Sequence, residues 1–265
     1  MHSLSSNSRP PAVADMFYPG EPGRLSAALK QLLQGAQSPQ AHPYKALICP
    51  HAGYIYSGAV AAEAYASLMQ RPEITRVVLL GPSHRVPLRG MAVPGVDSFT
   101  TPLGEVPLDV EACRSLLGSE GLVISDEAHQ YEHSLEVQLP FLQAVLSEFH
   151  LVPIVVGLCA PRPVANILRK LWGGRETLIV VSSDLSHYLP QSQARIRDQQ
   201  TAERILAGAT DLEGEEACGC YAVNGLLMAA REKQLTSTLI AMATSGDTAG
   251  DKSRVVGYGA FGFFA

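Results

Sequence analysis

No apolar run in this chain approaches the roughly 18 residues needed to cross a bilayer. Its N-terminus, MHSLSSNSRPP, has no apolar stretch of signal-peptide type. These two absences point to a cytoplasmic protein with no membrane partner. Basic charge is not in excess either. Twenty Lys and Arg stand against 25 Asp and Glu, for a net charge of −5 and a pI near 5.9. Nucleic-acid-binding domains usually show a basic face or a pI above ~9, so no nucleic-acid partner is expected. Cysteine is sparse and odd in number: Cys49, Cys113, Cys159, Cys218 and Cys220. A chain this large does not depend on disulfide staples, and in a reducing compartment such thiols are buried, ligating or nucleophilic. The default for each is a small buried hydrophobe.

Signature motifs are missing too. There is no GxGxxG, which disfavours a dinucleotide-binding dehydrogenase. There is no GxxxxGK[ST], since GDKS at 250–253 lacks the first glycine spacing. There is no GxSxG nucleophile elbow and no HExxH. P-loop enzymes, α/β-hydrolases and zincins are therefore disfavoured.

What is present is a core-forming sequence of 265 residues, 46% of them apolar. Residues 1–22, with four prolines and several serines, read as an extended arm packing on the rest. Leu25, Leu29, Leu32 and Leu33 give 24–34 a helical period, and SPQAHPY follows as a linker. KALICP reads as a buried strand, YSGAVAAEAYASLM as an Ala-rich helix and TRVVLLGP as a second buried strand. The Gly- and Pro-rich stretch 91–125 suggests an antiparallel excursion, then a helix near 109–117 and a strand near 122–125. EHSLEVQLPFLQAVLSEF predicts a helix kinked at Pro140. HLVPIVVG predicts a strand, PRPVANILRKLW a helix whose first turn tolerates Pro161 and Pro163, and ETLIVVSSD a strand. Residues 193–208 and 219–232 read as helices, and STLIAMATSGD and RVVGYGAFGFF as late strands. Nearly all-apolar strands separated by helices predict an α/β fold, with a mainly parallel central sheet flanked by helices. No linker clearly splits the chain, so 1–265 reads as a single domain.

Three of the strands end alike. LICPH ends at His51, VVLLGPSH at His84 and VVSSDLSH at His187. In an open α/β sheet ligands bind outside the carboxyl ends of the strands. A lone loop histidine is usually an ordinary hydrogen-bonding residue, but three at equivalent positions suggest a shared site. Three imidazoles, or two with a carboxylate or thiolate, can hold one metal and leave a position open. Asp184, three residues before His187, is either a ligand, a group orienting a histidine, or a turn residue. Glu132, His133 and Glu136 form a second cluster. At i and i+4 the two acids share a helical face. They line the pocket or merely favour the helix start through its dipole. Cys218 and Cys220 form CGC ahead of an apolar helix, where a thiolate has a lowered pKa and ligates metal more readily. The bland alternative is two buried cysteines beside a close glycine turn.

The segments AVADMFYPG, PHAGYIYSGAVAAEAY, GPSHR, TPLGEVPLD, EHSLEVQLPFLQ, SSDLSHY, ACGCYAVNG and TSGDTAGDKSRVVGYGAF occur in the order seen in Memo-family proteins. The chain resembles that family, called AmmeMemoRadiSam system protein B in bacteria, from about Pro11 to its C-terminus. One departure is Asp15-Met16, where Ala-Gly is expected. Memo proteins in turn resemble class III extradiol dioxygenases, non-haem Fe(II) enzymes with an α/β fold. The resemblance implies His51 and His84 as metal ligands, with His187 as a further acid/base histidine. It also implies Cys218 in place of the dioxygenase glutamate. A thiolate is softer than a carboxylate and shifts preference toward copper, zinc or a differently tuned iron. The implied cofactor is a divalent metal ion, iron first, with copper or zinc as alternatives. The implied ligand is a small molecule or peptide, and the implied partners are an AMMECR-type protein and a radical SAM protein. Three functions compete: a metal-dependent redox enzyme, a peptide- or protein-binding scaffold with a vestigial site, and a zinc hydrolase.

Overall fold

The most apolar runs form the middle of a sheet. In the computed structural model, which describes residues 7–37 and 42–265, the chain begins with β1 (Ser8–Arg9), α1 (Pro22–Gly35), β2 (Ala46–Cys49), α2 (Tyr54–Ala66) and β3 (Arg76–Pro82). The excursion follows as β4 (Met91–Val93), β5 (Ser98–Thr101), β6 (Gly104–Pro107), α3 (Val110–Ser115) and β7 (Leu122–Ile124). Next come α4 (Asp126–Gln130), α5 (His133–Glu136), α6 (Leu139–Val145), β8 (His150–Val156), α7 (Pro161–Leu171) and β9 (Thr177–Ser182). The chain closes with β10 (His187–Leu189), α8 (Gln191–Leu206), α9 (Cys220–Glu232), β11 (Thr236–Thr244) and β12 (Val255–Phe264). The start of the expected arm, and Ser38 to Ala41 of the expected linker, lie outside the described residues.

The main sheet runs β10-β12-β2-β9-β3-β8-β4-β7, with β11 also on β12. Its centre, β2, β9, β3 and β8, is parallel. β12 and β4 join that centre antiparallel, one on each side. The expected parallel sheet is thus parallel where helical crossovers connect the strands. It is antiparallel at β11 and β12, where a short connection reverses the chain. Alternate residues of the central strands feed two cores. Leu47, Val77, Leu79, Leu151, Val155 and Val180 pack with α1, α2 and α6. Ile48, Val78, Leu80, Ile154, Ile179 and Val181 pack with α7 and α9. Both faces being covered explains why these strands are apolar throughout. β5 and β6 pair as a separate hairpin, to which β1 adds in parallel.

The helix expected over EHSLEVQLPFLQAVLSEF is not kinked at Pro140 but broken. Proline has no N–H and its ring clashes with the carbonyl four residues back, here Glu136. Accordingly α5 stops at Glu136 and α6 starts afresh at Leu139, with Pro140 in its first turn. α4 and β10 are each too short to show a period in the sequence.

The N-terminal segment packs Val13 and Tyr18 into the core shared with α1, α2 and α6. Its anchor is Glu136, wholly buried, whose carboxylate accepts from Arg9 Nη1 (2.8 Å), the amides of Ala12 and Val13 (2.8 and 2.9 Å) and Tyr18 Oη (2.6 Å). Arg9 also donates to the carbonyls of His129 and Glu132, both at 2.7 Å. Asp15, where the family resemblance expects Ala-Gly, has φ of +62°, a left-handed conformation that Asp tolerates better than most residues. Its Oδ1 accepts the Gly20 amide at 2.7 Å.

Glu136→Ala should destabilise the protein by about 3–5 kcal/mol, because it strands a buried guanidinium. Urea unfolding measures this, and a loss below ~1 kcal/mol contradicts the anchoring role. His129 is buried, with Nε2 2.9 Å from the Ala92 carbonyl. Burial pushes its pKa from 6.5 down to about 4. The unfolded chain therefore binds a proton that the folded one refuses between those values. Stability is full above pH 6.5 and falls as the pH drops toward 4, by up to ~1.4 kcal/mol per pH unit for this residue. His129→Gln should flatten that slope in unfolding curves taken at pH 7 and 5. An unchanged slope would assign the acid sensitivity elsewhere.

Candidate metal centre

Strand register brings the three histidine loops together. Cys49 lies opposite Ser182, and Leu80 opposite Val181, so β2, β9 and β3 end at one level. His51 follows β2, Asp184 and His187 follow β9, and His84 follows β3. Cys218 reaches the same place from the turn before α9. Gly219 makes this approach feasible, because a Cβ there would fall 2.7 Å from the Ser182 carbonyl oxygen.

His51 is buried, and both of its polar ends are fixed. Its backbone N–H donates to Asp184 Oδ1 at 2.8 Å, and Nδ1 pairs with Ser182 Oγ at 2.8 Å. Ser182 Oγ is itself held by Gln138 Nε2 and by the Ser134 carbonyl. That leaves His51 Nε2, which lies 3.4 Å from Cys218 Sγ. His84 is held the same way by a carboxylate. Glu132 accepts its backbone N–H at 2.6 Å and pairs with Nδ1 at 2.9 Å, leaving Nε2 as its open nitrogen. The Asp184 amide donates to Cys218 Sγ at 3.3 Å, and its carbonyl accepts the Cys218 amide at 3.2 Å. Asp184 thus ties the His51 and Cys218 loops together, and its Oδ2 stays 4.0 Å from His51 Nε2.

Electrostatics favour neutral imidazoles beside one fixed carboxylate. Burial, then the neighbouring His84, His133 and His187, hold His51 well below its ordinary pKa. Burial lowers His187 as well, and takes His133 down to about 4. Burial alone would raise Glu132, but hydrogen bonds from His84 and Ser134 outweigh it and bring the carboxyl to about 2. Asp184 goes the other way. Burial lifts it to about 7 against the opposing His51 and Ala52 amides. Burial and the nearby Asp184 carboxyl raise the Cys218 thiol strongly, so a metal ion must displace its proton.

Among the described residues two sets of donors converge to within 4.8 Å: His51, His84 and Cys218, and His84, Glu132 and His133. The first set fits an ion. Tetrahedral bonds of ~2.0–2.1 Å to nitrogen and ~2.3 Å to sulfur separate the two donors by about 3.5 Å. The observed separation of His51 Nε2 and Cys218 Sγ is 3.4 Å. The His51 and His84 rings are 73° apart, so their in-plane lone pairs can meet at one point. The second set fits poorly. The His84 and His133 rings stack at 4.6 Å and 24°, and nearly parallel rings cannot both aim an in-plane lone pair at one ion. His133 Nδ1 sits 3.4 Å from Glu132 Oε1 without hydrogen-bond alignment and has no other partner.

His187 lines a cavity of about 740 Å³ together with His84 and Cys218. It is therefore beside the donor set but not part of it. Glu132 and His133 lie at the centre. Glu136 does not, because its carboxylate is taken up by the N-terminal segment. Glu132 and Glu136 do not share a helical face as expected. Glu132 caps α5 from outside, with extended backbone, and so points the other way. Cys220 is buried as the first residue of α9 and belongs to neither donor set. Ser182, Gln138 and Arg9 carry no mark of their role in the sequence. Each acts through one long-range hydrogen bond or more, for which linear spacing carries no signal.

A mixed α/β sheet with a His₂Cys donor set at its carboxyl edge defines a candidate metal-binding protein of the α/β class. The chain belongs to the Memo family: the model for Memo-like proteins matches residues 9–261. It is similar to MEMO1 family proteins of several organisms. That of Methanosarcina barkeri is 37% identical over 271 residues, covering 95% of this chain and 98% of that protein. That of Aquifex aeolicus is 38% identical over 266 residues, covering 94% and 97%. That of Sulfurisphaera tokodaii is 36% identical over 276 residues, covering 94% and 97%. No helix among the described residues is long and apolar enough to cross a membrane.

Glu132→Gln tests whether the carboxylate orients His84. It should lower metal affinity ~10–100-fold, as loss of such a supporting group does, with the far-UV circular dichroism unchanged. A change below about threefold would show that His84 needs no carboxylate behind it.

Proposed function

We propose that the protein is a metal-dependent redox protein in which His51, His84 and Cys218 hold a divalent ion, iron first and copper second. One observation carries the reading. The three donors converge while the other nitrogen of each imidazole is already committed, to Ser182 in one case and Glu132 in the other. Ligating histidines are typically fixed in this way, which sets tautomer and ring direction before the ion arrives. Two imidazoles and a thiolate form a softer, more electron-donating set than two imidazoles and a carboxylate, and suit a redox-active iron or copper.

When bound, such an ion supplies one-electron or oxygen chemistry. The chain's own groups do the rest. Glu132 stays anionic and keeps His84 aligned. Asp184 holds the His51 and Cys218 loops in register. Its raised pKa also makes it the group nearest the donors able to take or give a proton near neutrality. His187, neutral through burial, faces the cavity as the second proton carrier. A small molecule or peptide would enter through that cavity.

Anaerobic purification with elemental analysis is the decisive measurement. It should be combined with iron, copper and zinc titrations of the parent, His51→Ala, His84→Ala, Cys218→Ser and His187→Ala proteins. The three ligand variants should lose stoichiometric metal, whereas His187→Ala should only weaken it, all remaining folded by circular dichroism. The iron or copper form should show a thiolate charge-transfer band that Cys218→Ser removes. If His51→Ala binds all three metals as tightly as the parent, the site is misassigned. A parent that takes up zinc alone, without colour, would replace the redox role with a hydrolytic one.

A further inference from the structure

The 740 Å³ cavity is one of two that meet at the donor set. A second, of about 660 Å³, lies between the loops that follow β3 and β8 and the start of α9, and Cys218 lines both. The two differ in chemistry. The first carries His84, His187, Arg197 and Glu215. The second is walled by Val86, Pro87, Leu88, Leu158 and Tyr221, with Arg89 as its charged member. Leu158 is 54% exposed and Tyr221 36%, although most apolar side chains of this size are buried. Exposed apolar groups gathered in a concavity mark a binding surface.

The polar side has a cation that is only loosely held. Arg197 pairs with Glu215 at 3.5 Å, and Glu215 is 87% exposed. Exposed pairs of this kind contribute little and exchange readily for a better partner. An anionic group of a ligand could approach the Arg197 guanidinium in two-point geometry, which the present pair does not use. Tyr188 stands at the same mouth, 63% exposed, at φ of +62° and with Arg254 4.7 Å over its ring. A non-glycine residue kept in a left-handed conformation next to a reactive cluster is typical of a functional site.

We infer that the site takes an extended amphipathic anion. Its charged head lies against Arg197 in the polar cavity, its apolar body lies over Pro87, Leu158 and Tyr221, and its middle passes Cys218. This rests on the metal reading only for what sits at the junction, since the two walls exist in the chain itself. A carboxylate and a phosphate head share the chemistry that Arg197 recognises.

The test is calorimetric binding of defined probes to the full-length protein, with metal content measured on the same samples. The probes are 6-phenylhexanoate, 6-phenylhexyl phosphate, 6-phenylhexan-1-ol and acetate. At least one of the two long anions should bind about tenfold or more tightly than both the alcohol, which lacks the charge, and acetate, which lacks the body. Arg197→Gln should abolish the preference for anion over alcohol. Leu158→Ser with Tyr221→Ser should abolish the preference for the long anion over acetate, leaving Arg197 in place. If the alcohol or acetate binds as well as the tighter of the two long anions, the inference is wrong. A preference for the anion that survives Arg197→Gln also overturns it, because the head would then be held elsewhere. A protein that selects these probes as described but holds no metal would sink the proposed function and leave this inference standing. A metal-loaded protein without the selectivity would do the reverse.

Discussion

The parallel pairing of β2, β9 and β3 is the constraint on which the site depends. Three strands that all point one way must release their chains at one edge, and their register levels those ends. Antiparallel neighbours would have sent every second loop to the opposite side. The pairing is secured by two apolar cores, one on each face, and not by the site itself. A cluster of imidazoles, a thiol and two carboxyl groups is costly to bury. Here it occupies an edge where a fold already stable on other grounds leaves strand ends and a concavity.

Within that frame the polar groups divide into holders and held. Glu132 and Ser182 each take one nitrogen of a histidine, and Asp184 spans the loops of His51 and Cys218. The carboxyl groups are shifted in opposite directions by one physical difference. Glu132 accepts hydrogen bonds from both His84 nitrogen donors and from the Ser134 amide. Asp184 is buried with backbone amides and no imidazole contact shorter than 4.0 Å. The two acids thereby differ in ionisation, Glu132 held charged and Asp184 lifted to about 7.

The parts of this arrangement legible in the sequence were those written in runs. Buried strands ending at His51, His84 and His187 could be read because apolar stretches and their Pro, Gly or Ser endings are local. The Memo resemblance brought in Cys218, which spacing alone could not have separated from Cys220. What stayed hidden was decided by contacts far apart in the chain. Glu132 and Glu136, four residues apart, are turned to different partners, one capping α5 beside His84 and the other buried under Arg9 and Tyr18. The antiparallel margins of the sheet depend on how β11 and β12 return, which apolar runs do not encode. Ser182 and Gln138 look like ordinary polar residues until the strand ends are brought level.

Arg9 shows how far that non-local logic reaches. Its guanidinium bonds the carbonyls of His129 and Glu132 and the carboxylate of Glu136, so it braces the whole 129–136 segment from one side. On the other side of the same segment the Glu132 carboxylate holds His84. The backbone that Arg9 fixes is thus the backbone from which the His84 support projects. Phe17, from the same N-terminal segment, packs its ring 4.7 Å from His133, which in turn stacks on His84. Two separate contacts therefore run from the first described residues to one imidazole. Gly53, which precedes α2 and follows His51, lies close under Phe17 as well, and the Tyr54 amide donates to the Phe17 carbonyl. The N-terminal segment is accordingly packed behind the loops of both histidines, and Glu136 is the group that anchors it there.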